Sequence, residues 1–288
     1  MIGLELAGTL FVPASHKDLK SIVGGVKYPS LKSVLIDTED SISDETLDLA
    51  IESIKDLLGT YVKSTLLVFI RPRNNKTLEE ILLFKNIEKI NGFILPKFSL
   101  SNADLYLETL RDSKHIIMPS IEGEELFDSA KLIELKNKLL THKDKISLVR
   151  FGLEDMLAQL KMRRVCEDSI FDISVTSSVI GNFISIFKSS GFEVSGGVYP
   201  CFKDSIGFEK DVLRDLKEGL ISKTIIHPNQ INIINELYKV KQKDYDEALA
   251  ICNSSNAVFN QTGKMAETTT MLPYSQGIIK RAKLYGIK

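Results

Sequence analysis

The chain has 288 residues, of which 43% are hydrophobic and 26% charged, a composition typical of a folded globular protein and not of a disordered one. Its 37 basic residues nearly balance its 38 acidic ones, so no overall field favours nucleic acid or an anionic membrane. No stretch approaches the roughly 20 apolar residues that span a bilayer, and the N-terminal segment lacks the basic start of a signal peptide. Cys166, Cys201 and Cys252 are widely spaced and form no metal motif, so we expect reduced thiols in a cytoplasmic protein.

Short apolar runs rich in Val, Ile, Phe and Leu alternate along the chain with longer segments whose apolar residues have helical spacing. The runs predicted as strands are 8–13, 33–37, 65–72, 92–97, 115–122, 146–152, 192–197 and 223–228, the seventh being the weakest. Helices are predicted between them, for example over 44–61, 77–90, 102–113 and 124–140, and two more over 231–259.

Strands that are apolar on both faces and alternate with helices form parallel sheets, and eight such units match a closed (β/α)₈ barrel. An open doubly wound sheet is the alternative, but the turn after the first run, "VPASHKDL", has no glycine for a nucleotide phosphate. We therefore predict one α/β domain, a TIM barrel, over residues 1–238. Residues 239–288 are predicted as a C-terminal helical extension and tail with a potential contact to a neighbouring subunit.

Nearly every predicted strand is followed by a charged or hydrogen-bonding residue. In a parallel barrel the carboxyl ends of all strands open onto one face, so these residues converge there. In chain order they are His16, Asp37, Glu39, Asp40, Arg71, Arg73, Lys97, Glu122, Arg150, Glu154, Asp155, Tyr199 and His227. Taken singly, the acids are also typical of helix caps and the basic residues of solvated loops. Taken together, they predict a site for a polar, anionic ligand.

Two carboxylates on neighbouring strand ends, Glu122 and Asp155, are joined in this pattern by Arg71 from a third strand. Such a set can bind a hard divalent cation and a carboxylate together. Magnesium takes one or two protein carboxylates and leaves its other positions to water and substrate, whereas zinc prefers His and Cys clusters that the chain lacks. The sequence predicts a Mg²⁺ site for a small carboxylated substrate, with His16, Lys97 and Tyr199 as further substrate-binding residues.

Eight segments, in order, resemble motifs of the citrate lyase beta-subunit-like proteins of the HpcH/HpaI aldolase family. They are "TLFVPASHKDL", "VLIDTEDSI", "FIRPRN", "FILPKFSL", "SIEGEEL", "FGLEDMLAQL", "GGVYPCFKDSIGFEKD" and "KTIIHPNQI". The resemblance implies a magnesium-dependent carbon–carbon lyase or Claisen-type enzyme on a TIM barrel, commonly a homotrimer, acting on 2-oxo acids or acyl thioesters. It places Glu122 and Asp155 on the metal ligands, Arg71 on the substrate-binding arginine, and Glu39 and Asp40 on an acidic pair near the metal.

Two positions depart from the family pattern. Ala14-Ser15-His16 stands where many relatives have Gly-Asn-Arg, so an arginine associated with acyl-thioester binding is missing and the use of coenzyme A stays open. Glu267 stands where relatives carry an aspartate that serves as acid/base, often across a subunit interface. The departures resemble those of a divergent subgroup of barrel lyases encoded beside ATP-grasp proteins.

The leading hypothesis is a carbon–carbon lyase in which Arg71, Glu39, Asp40 and Glu267 are the catalytic residues. Cleavage next to a carbonyl develops negative charge that a metal and an arginine can stabilise, so the chemistry and the resemblance agree. Two alternatives use the same barrel: an acyl-thioester hydrolase, and a non-catalytic ligand-binding or assembly subunit of a biosynthetic complex.

Overall fold

The computed structural model describes residues 2–288, which divide into two compact units at Ile231 and Asn232. The predicted domain boundary after residue 238 lies seven residues later. No helix among residues 2–288 is both long enough and apolar enough to cross a membrane.

The first unit is built around a parallel sheet of seven strands. The strands are β1 Gly8–Pro13, β2 Ser33–Asp37, β3 Leu67–Arg71, β4 Gly92–Leu95, β5 Ile116–Ile121, β6 Arg150–Phe151 and β7 Lys223–Ile225, in the order β6-β5-β4-β3-β2-β1-β7. The first two match the predicted runs residue for residue. Every sequential pair from β1 to β6 is parallel, and β7 pairs with β1.

The sheet closes through residues 192–197, the run predicted as the seventh strand. This run forms isolated bridges only, Val149 with Val194 and Gly196 with Lys223, so it is not a regular strand. Glycines weaken strands because they offer no side chain to pack. Even so, the bridges link the β6 side of the sheet to β7, which confirms the predicted α/β barrel fold.

The helices of this unit lie between the strands. They are α1 Leu19–Val23, α2 Leu47–Thr60, α3 Asn75–Leu82, α4 Ala103–Thr109, α5 Ser129–Leu140, α6 Leu153–Gln159, α7 Ser174–Ser189 and α8 Ser205–Lys217. The third is shorter than the predicted 77–90. The Asn74 side chain caps its start by accepting from the Thr77 N–H, and Asn86, at φ 68°, interrupts the helical backbone before a separate 3₁₀ turn over Ile87–Lys89.

An apolar layer fills the barrel and supports a polar layer above it. The apolar layer includes Leu35, Phe69, Ile94, Met118 and Leu148, with Leu6 from the 3₁₀ turn Gly3–Leu6 packed against it. Side chains two residues apart on a strand share a face. On four of these segments the residue two positions later is polar or charged: Asp37, Arg71, Ser120 and Arg150. Two positions after these come Glu39, Arg73, Glu122 and Gly152. The inward period-2 pattern therefore changes from apolar to mostly polar or charged at the carboxyl ends.

The second unit contains the rest of the chain. Helix α9, Asn229–Leu237, begins in the first unit, and α10 Gln242–Asn253 follows. Helix α11, Thr268–Tyr285, packs on α10 through Val240, Ala248, Ile278 and Ala282. Between them the predicted helical extension is interrupted by an antiparallel hairpin of β8 Val258–Gln261 and β9 Lys264–Glu267. Its turn residues Thr262 and Gly263 both have positive φ, which suits a two-residue hairpin turn.

The expectation of three reduced thiols is wrong for one pair. Cys166 and Cys201 form a disulfide with their Cα atoms 6.3 Å apart, although 35 residues separate them in sequence. Cys252 is free and half-buried. Spacing along the chain carries no information on which loops a barrel brings together.

A buried ion cluster holds the closing run to β7. The Lys223 ammonium lies 2.6 Å from a carboxylate oxygen of Asp211 and 2.6 Å from one of Asp215, and donates to the Gly197 carbonyl at 2.9 Å. Arg164 pairs with the same Asp211. All four charged side chains are buried, so each charge depends on the others for compensation.

We predict that Lys223→Met lowers the free energy of unfolding by about 3–5 kcal/mol, because two carboxylates are left in the interior without their shared cation. Urea denaturation of the variant measures this. Lys85→Met on the exposed surface is the matched control and is expected to change stability by less than about 0.5 kcal/mol. Equal effects of the two substitutions would contradict a structural role for the cluster.

Candidate active site

Asp37 and Arg71 form the centre of the strand-end site. They end β2 and β3 in direct register, and the guanidinium donates to both carboxylate oxygens, Nε at 2.6 Å and Nη2 at 2.8 Å. Burial alone raises the pKa of Asp37, but the bonds from Arg71 and from the N–H groups of Glu39 and Ser41 outweigh it, so the net shift is downward. Asp37 is therefore a fixed anion that orients the arginine.

The third guanidinium nitrogen of Arg71, Nη1, binds the predicted acidic pair Glu39 and Asp40. It lies 2.8 Å from Glu39 and 3.1 Å from Asp40. Burial lowers the pKa of Arg71, yet Asp37 and the two further acids raise it overall. With three carboxylates around one guanidinium, most of its donors are already engaged within the protein.

Lys97 connects the acidic pair to the predicted metal ligands. Its ammonium lies 2.5 Å from Glu39, 3.4 Å from Asp40 and 3.7 Å from Asp155. Its backbone, at φ 45°, turns the Lys97 N–H toward Glu122, which accepts at 2.6 Å. The side chain is 54% exposed, so the cation also faces solvent.

Glu122 and Asp155 lie side by side, as predicted. Glu122 follows β5 and is buried, whereas Asp155 lies in the first turn of α6 and is 39% exposed. Burial, and then the neighbouring Asp155 carboxyl, raises the pKa of Glu122 to about 8. Two carboxyl groups in this proximity repel each other when both are ionised, which a cation between them would relieve.

Gly152 makes the approach of Glu122 possible. A Cβ built on this glycine would lie 2.2 Å from the Cβ of Glu122, so no other residue fits without displacing that side chain. The glycine in "RFGLEDML" thus separates β6 from α6 and leaves the space that the Glu122 carboxylate occupies.

The carboxylate pair suits magnesium better than a metal held by protein ligands alone. Among residues 2–288 no group of three or more His, Cys, Asp or Glu side chains is arranged to enclose a metal ion. Two oxygen ligands with space beside them match the preference of Mg²⁺ for few carboxylates, water and substrate oxygens.

A cavity of about 220 Å³ opens beside these residues. Residues at or following all seven strands, together with Val198 after the closing run, line it. The charged lining comprises Asp40, Arg71, Glu122, Arg150, Glu154 and Asp155, and the apolar lining includes Phe11, Ile94, Val198 and Ile226. The cavity is small and has cationic as well as anionic walls.

The comparisons with known proteins agree with this geometry. A family model described as the C-C bond lyase of the TIM-barrel fold matches residues 1–287. The chain belongs to this C–C bond lyase family. The match confirms the resemblance to citrate lyase beta subunits that the motifs indicate.

Several proteins similar to this family member are named as citrate lyase beta subunits. The chain is similar to citrate lyase subunit beta of Escherichia coli K12, with 24% identity over 147 residues, 49% of this chain and 47% of that relative; the match therefore spans about half the relative's length. Among solved structures, CitE of Mycobacterium tuberculosis, in complex with magnesium, acetoacetate and coenzyme A, has a TM-score of 0.71 and 18% identity, covering 96% of this chain and 98% of that one. RipC from Yersinia pestis has a TM-score of 0.63 at 18% identity, covering 84% and 99%.

Six of the nine predicted site residues come together at the strand ends of this lyase-family chain: Glu39, Asp40, Arg71, Lys97, Glu122 and Asp155. His16 lies in the loop after β1, where its Nδ1 accepts from the Asp18 N–H at 3.0 Å. Glu267 ends β9 in the second unit and is half-buried. Their proposed roles stay predictions.

Tyr199, the ninth predicted residue, is buried with its hydroxyl 2.8 Å from Asp204 and its ring under the Arg164 guanidinium. It lines a different cavity of about 360 Å³, formed with the loop 166–172 and α8. His227, also a strand-end residue, stacks on Phe202 with ring centroids 4.5 Å apart.

Arg150 is the site residue whose role the sequence reasoning missed. It was identified as a strand-end residue, but nothing distinguished it from a solvated loop cation. The structure buries it to 3% exposure, with Nη2 donating to the Thr224 hydroxyl at 2.6 Å and Nη1 without a partner among the described residues. Burial, and then the nearby charge of Arg71, lowers the pKa of Arg150 to about 10. An available signal was its spacing, two residues beyond Leu148, which puts it on the inward face.

We predict that Gly152→Ala displaces Glu122 and lowers the free energy of unfolding by about 1–3 kcal/mol, because the added methyl overlaps its Cβ. A crystal structure and urea denaturation together measure this. Gly181→Ala in α7 is the control: its added methyl has no atom within 4 Å, and alanine favours the helix by about 0.5–1 kcal/mol. An unmoved Glu122 in the first variant would show that the close approach is not required.

Proposed function

We propose that this protein is a Mg²⁺-dependent carbon–carbon lyase that cleaves or forms a bond next to a carbonyl in a small carboxylated substrate. The observation that carries the proposal is the paired Glu122 and Asp155 beside a cavity on the carboxyl face of the barrel. Family membership supports the reaction class. Mycobacterium tuberculosis relatives in complex with magnesium and pyruvate, or with oxaloacetate and magnesium, support the cofactor and the substrate class.

Each side chain has a role in this proposal. Glu122 and Asp155 hold the ion, which supplies positive charge for a developing carbonyl oxyanion. Arg71 keeps Glu39 and Asp40 in place, and these acids lie where they can bind the water molecules around the ion. Lys97 presents an ammonium to the anionic substrate while its N–H fixes Glu122. His16 is proposed to contribute to substrate binding from the loop after β1. Tyr199 is buried against a different cavity, so the proposed site does not include it.

Glu267 is the proposed acid/base, in its own subunit or in a neighbouring one. A carboxyl group can move the proton that a cleaved or formed carbon–carbon bond requires. The motif "TGKMAE" supports the acid/base role of Glu267 through its resemblance to the family tail, with glutamate one methylene longer than the usual aspartate.

We further propose a cytoplasmic homotrimer, in which the tail 239–288 lies at the subunit contact.

The metal assignment is tested by Asp155→Ala. We expect Mg²⁺ affinity, measured by titration calorimetry, to fall by at least about tenfold, because one of two protein ligands is lost. The matched control is Glu134→Ala, which removes an exposed acid of α5 outside the cavity and is expected to leave the affinity unchanged. Wild-type affinity in the Asp155→Ala variant would overturn the metal site.

The reaction is tested by incubating the full chain and Mg²⁺ with 2-oxo acids and acyl thioesters and following products by mass spectrometry. A changed carbon skeleton supports the lyase, whereas free thiol with no carbon–carbon change supports a hydrolase.

On an active substrate, Glu267→Gln is expected to lower turnover by about 10²–10⁴-fold with Mg²⁺ affinity unchanged, because the glutamine amide cannot exchange a proton. Glu267→Asp, which restores the usual family carboxylate, is the control and retains activity; full turnover by the glutamine variant would exclude Glu267 as the acid/base.

A further inference from the structure

We propose that Arg150, and not Arg71, receives a substrate carboxylate, at the inner end of the cavity opposite the carboxylate pair. The inference rests on the proposed function and deepens it, because it assigns a specificity-determining residue and a substrate class to the same site. The ligand it implies is a short-chain dicarboxylate with one end at the metal and the other at Arg150.

The buried arginines differ in their partners. Within residues 2–288 the arginines with the lowest exposure are Arg71, Arg150 and Arg164. Arg71 contacts three carboxylates, and Arg164 pairs with Asp211. Arg150 has no carboxylate within ion-pair distance among the described residues; its side-chain hydrogen bond is to the neutral hydroxyl of Thr224. A buried guanidinium without a counter-ion is costly, so an anion is the missing partner.

Arg150 has an unused hydrogen-bond donor. Among residues 2–288 its buried Nη1 has no hydrogen-bond partner, although the residue lines the cavity. A guanidinium presents parallel N–H groups that match the two oxygens of a carboxylate. Thr224 binds Nη2 and thereby fixes the orientation of the fork.

The position of Arg150 in the barrel suits a second carboxylate. Ser120 on β5 is in register with Arg150 on β6, so the two share the inward face. Glu122, two residues after Ser120, lies on the same face. Two residues of a strand advance by about 6.6 Å. Arg150 therefore lies one layer of side chains deeper than the carboxylate pair, which leaves room for a few carbon atoms between the two groups.

The remaining walls agree with a short aliphatic chain. Ile94, Val198 and Ile226 line the cavity with hydrocarbon. The Phe11 ring has the Arg71 guanidinium carbon 5.3 Å and the Arg150 guanidinium carbon 5.5 Å from its centroid. The aromatic ring thus lies against both cations and helps to hold Arg150 in place without neutralising it.

The test uses two probes that share a 2-hydroxy carboxylate head. On the carbon that bears the hydroxyl, L-malate carries a carboxymethyl group, whereas L-lactate carries a methyl group. Titration calorimetry of the Mg²⁺-saturated full chain is expected to show malate binding at least about tenfold more tightly than lactate, since the second carboxylate gains a charge-assisted bond. Arg150→Met is expected to remove this difference while the protein still binds Mg²⁺.

Arg150→Lys keeps the charge but loses the paired donors, so the malate-to-lactate ratio is expected to fall several-fold. This variant decides the question if Arg150→Met does not fold, as judged by circular dichroism. An unchanged ratio in the folded variants would overturn the proposal. A wild-type protein without preference for malate would also overturn it, because the cavity then has no subsite for the second carboxylate.

The experiment separates this inference from the proposed function. If the wild-type chain does not bind Mg²⁺, the proposed metal site fails, and the Arg150 inference is still tested by the same two probes in EDTA. If Mg²⁺ binds normally while Arg150→Met retains the malate preference, the inference about Arg150 fails and the metal site stands.

Discussion

The ion pair of Asp37 with Arg71 is the constraint on which the site depends. It fixes a cation at the ends of β2 and β3, the cation holds Glu39 and Asp40, and Glu39 in turn holds Lys97, whose N–H orients Glu122. Arg71 and Lys97 bring two positive charges to three acids, Asp37, Glu39 and Asp40. The negative charges of Glu122 and Asp155 are therefore not fully compensated. The protein's own pairing thus creates the negative position that a divalent cation would occupy.

Arg71 and Arg150 show how two buried arginines in one barrel acquire different roles. They contact the same aromatic ring and lie close enough for the charge of Arg71 to lower the pKa of Arg150. Arg71 is surrounded by acids from the end of β2 and the loop after it, because residues 37–40 carry three carboxylates. Arg150 faces a hydroxyl and the cavity. The arginine with fewer protein partners, Arg150, therefore keeps a donor for an anion.

Local patterns predicted the barrel and most of its site, because parallel strands buried on both faces leave continuous apolar runs and their ends meet on one face. Asp37 illustrates the limit. A helix-cap role was a fair interpretation, and its carboxylate does accept two N–H groups, but its main partner is an arginine 34 residues away. The weak closing run, the hairpin over 258–267 and the Cys166–Cys201 disulfide were missed or misassigned for the same reason: each depends on pairing between segments, which local periodicity does not report.

The proposed order of charges along the cavity has a consequence for how a substrate is oriented. Carboxylates and the proposed metal lie at the mouth, and Arg150 lies one layer deeper, so an anionic end enters first and the carbonyl end stays near the mouth. The bond next to that carbonyl then lies on the side of the barrel that opens outward. A proton donor for this bond need not come from the strands, because Asp37 and Arg71 at the strand ends are already joined in an ion pair. The proposed acid/base, Glu267, is accordingly a residue outside the barrel strands.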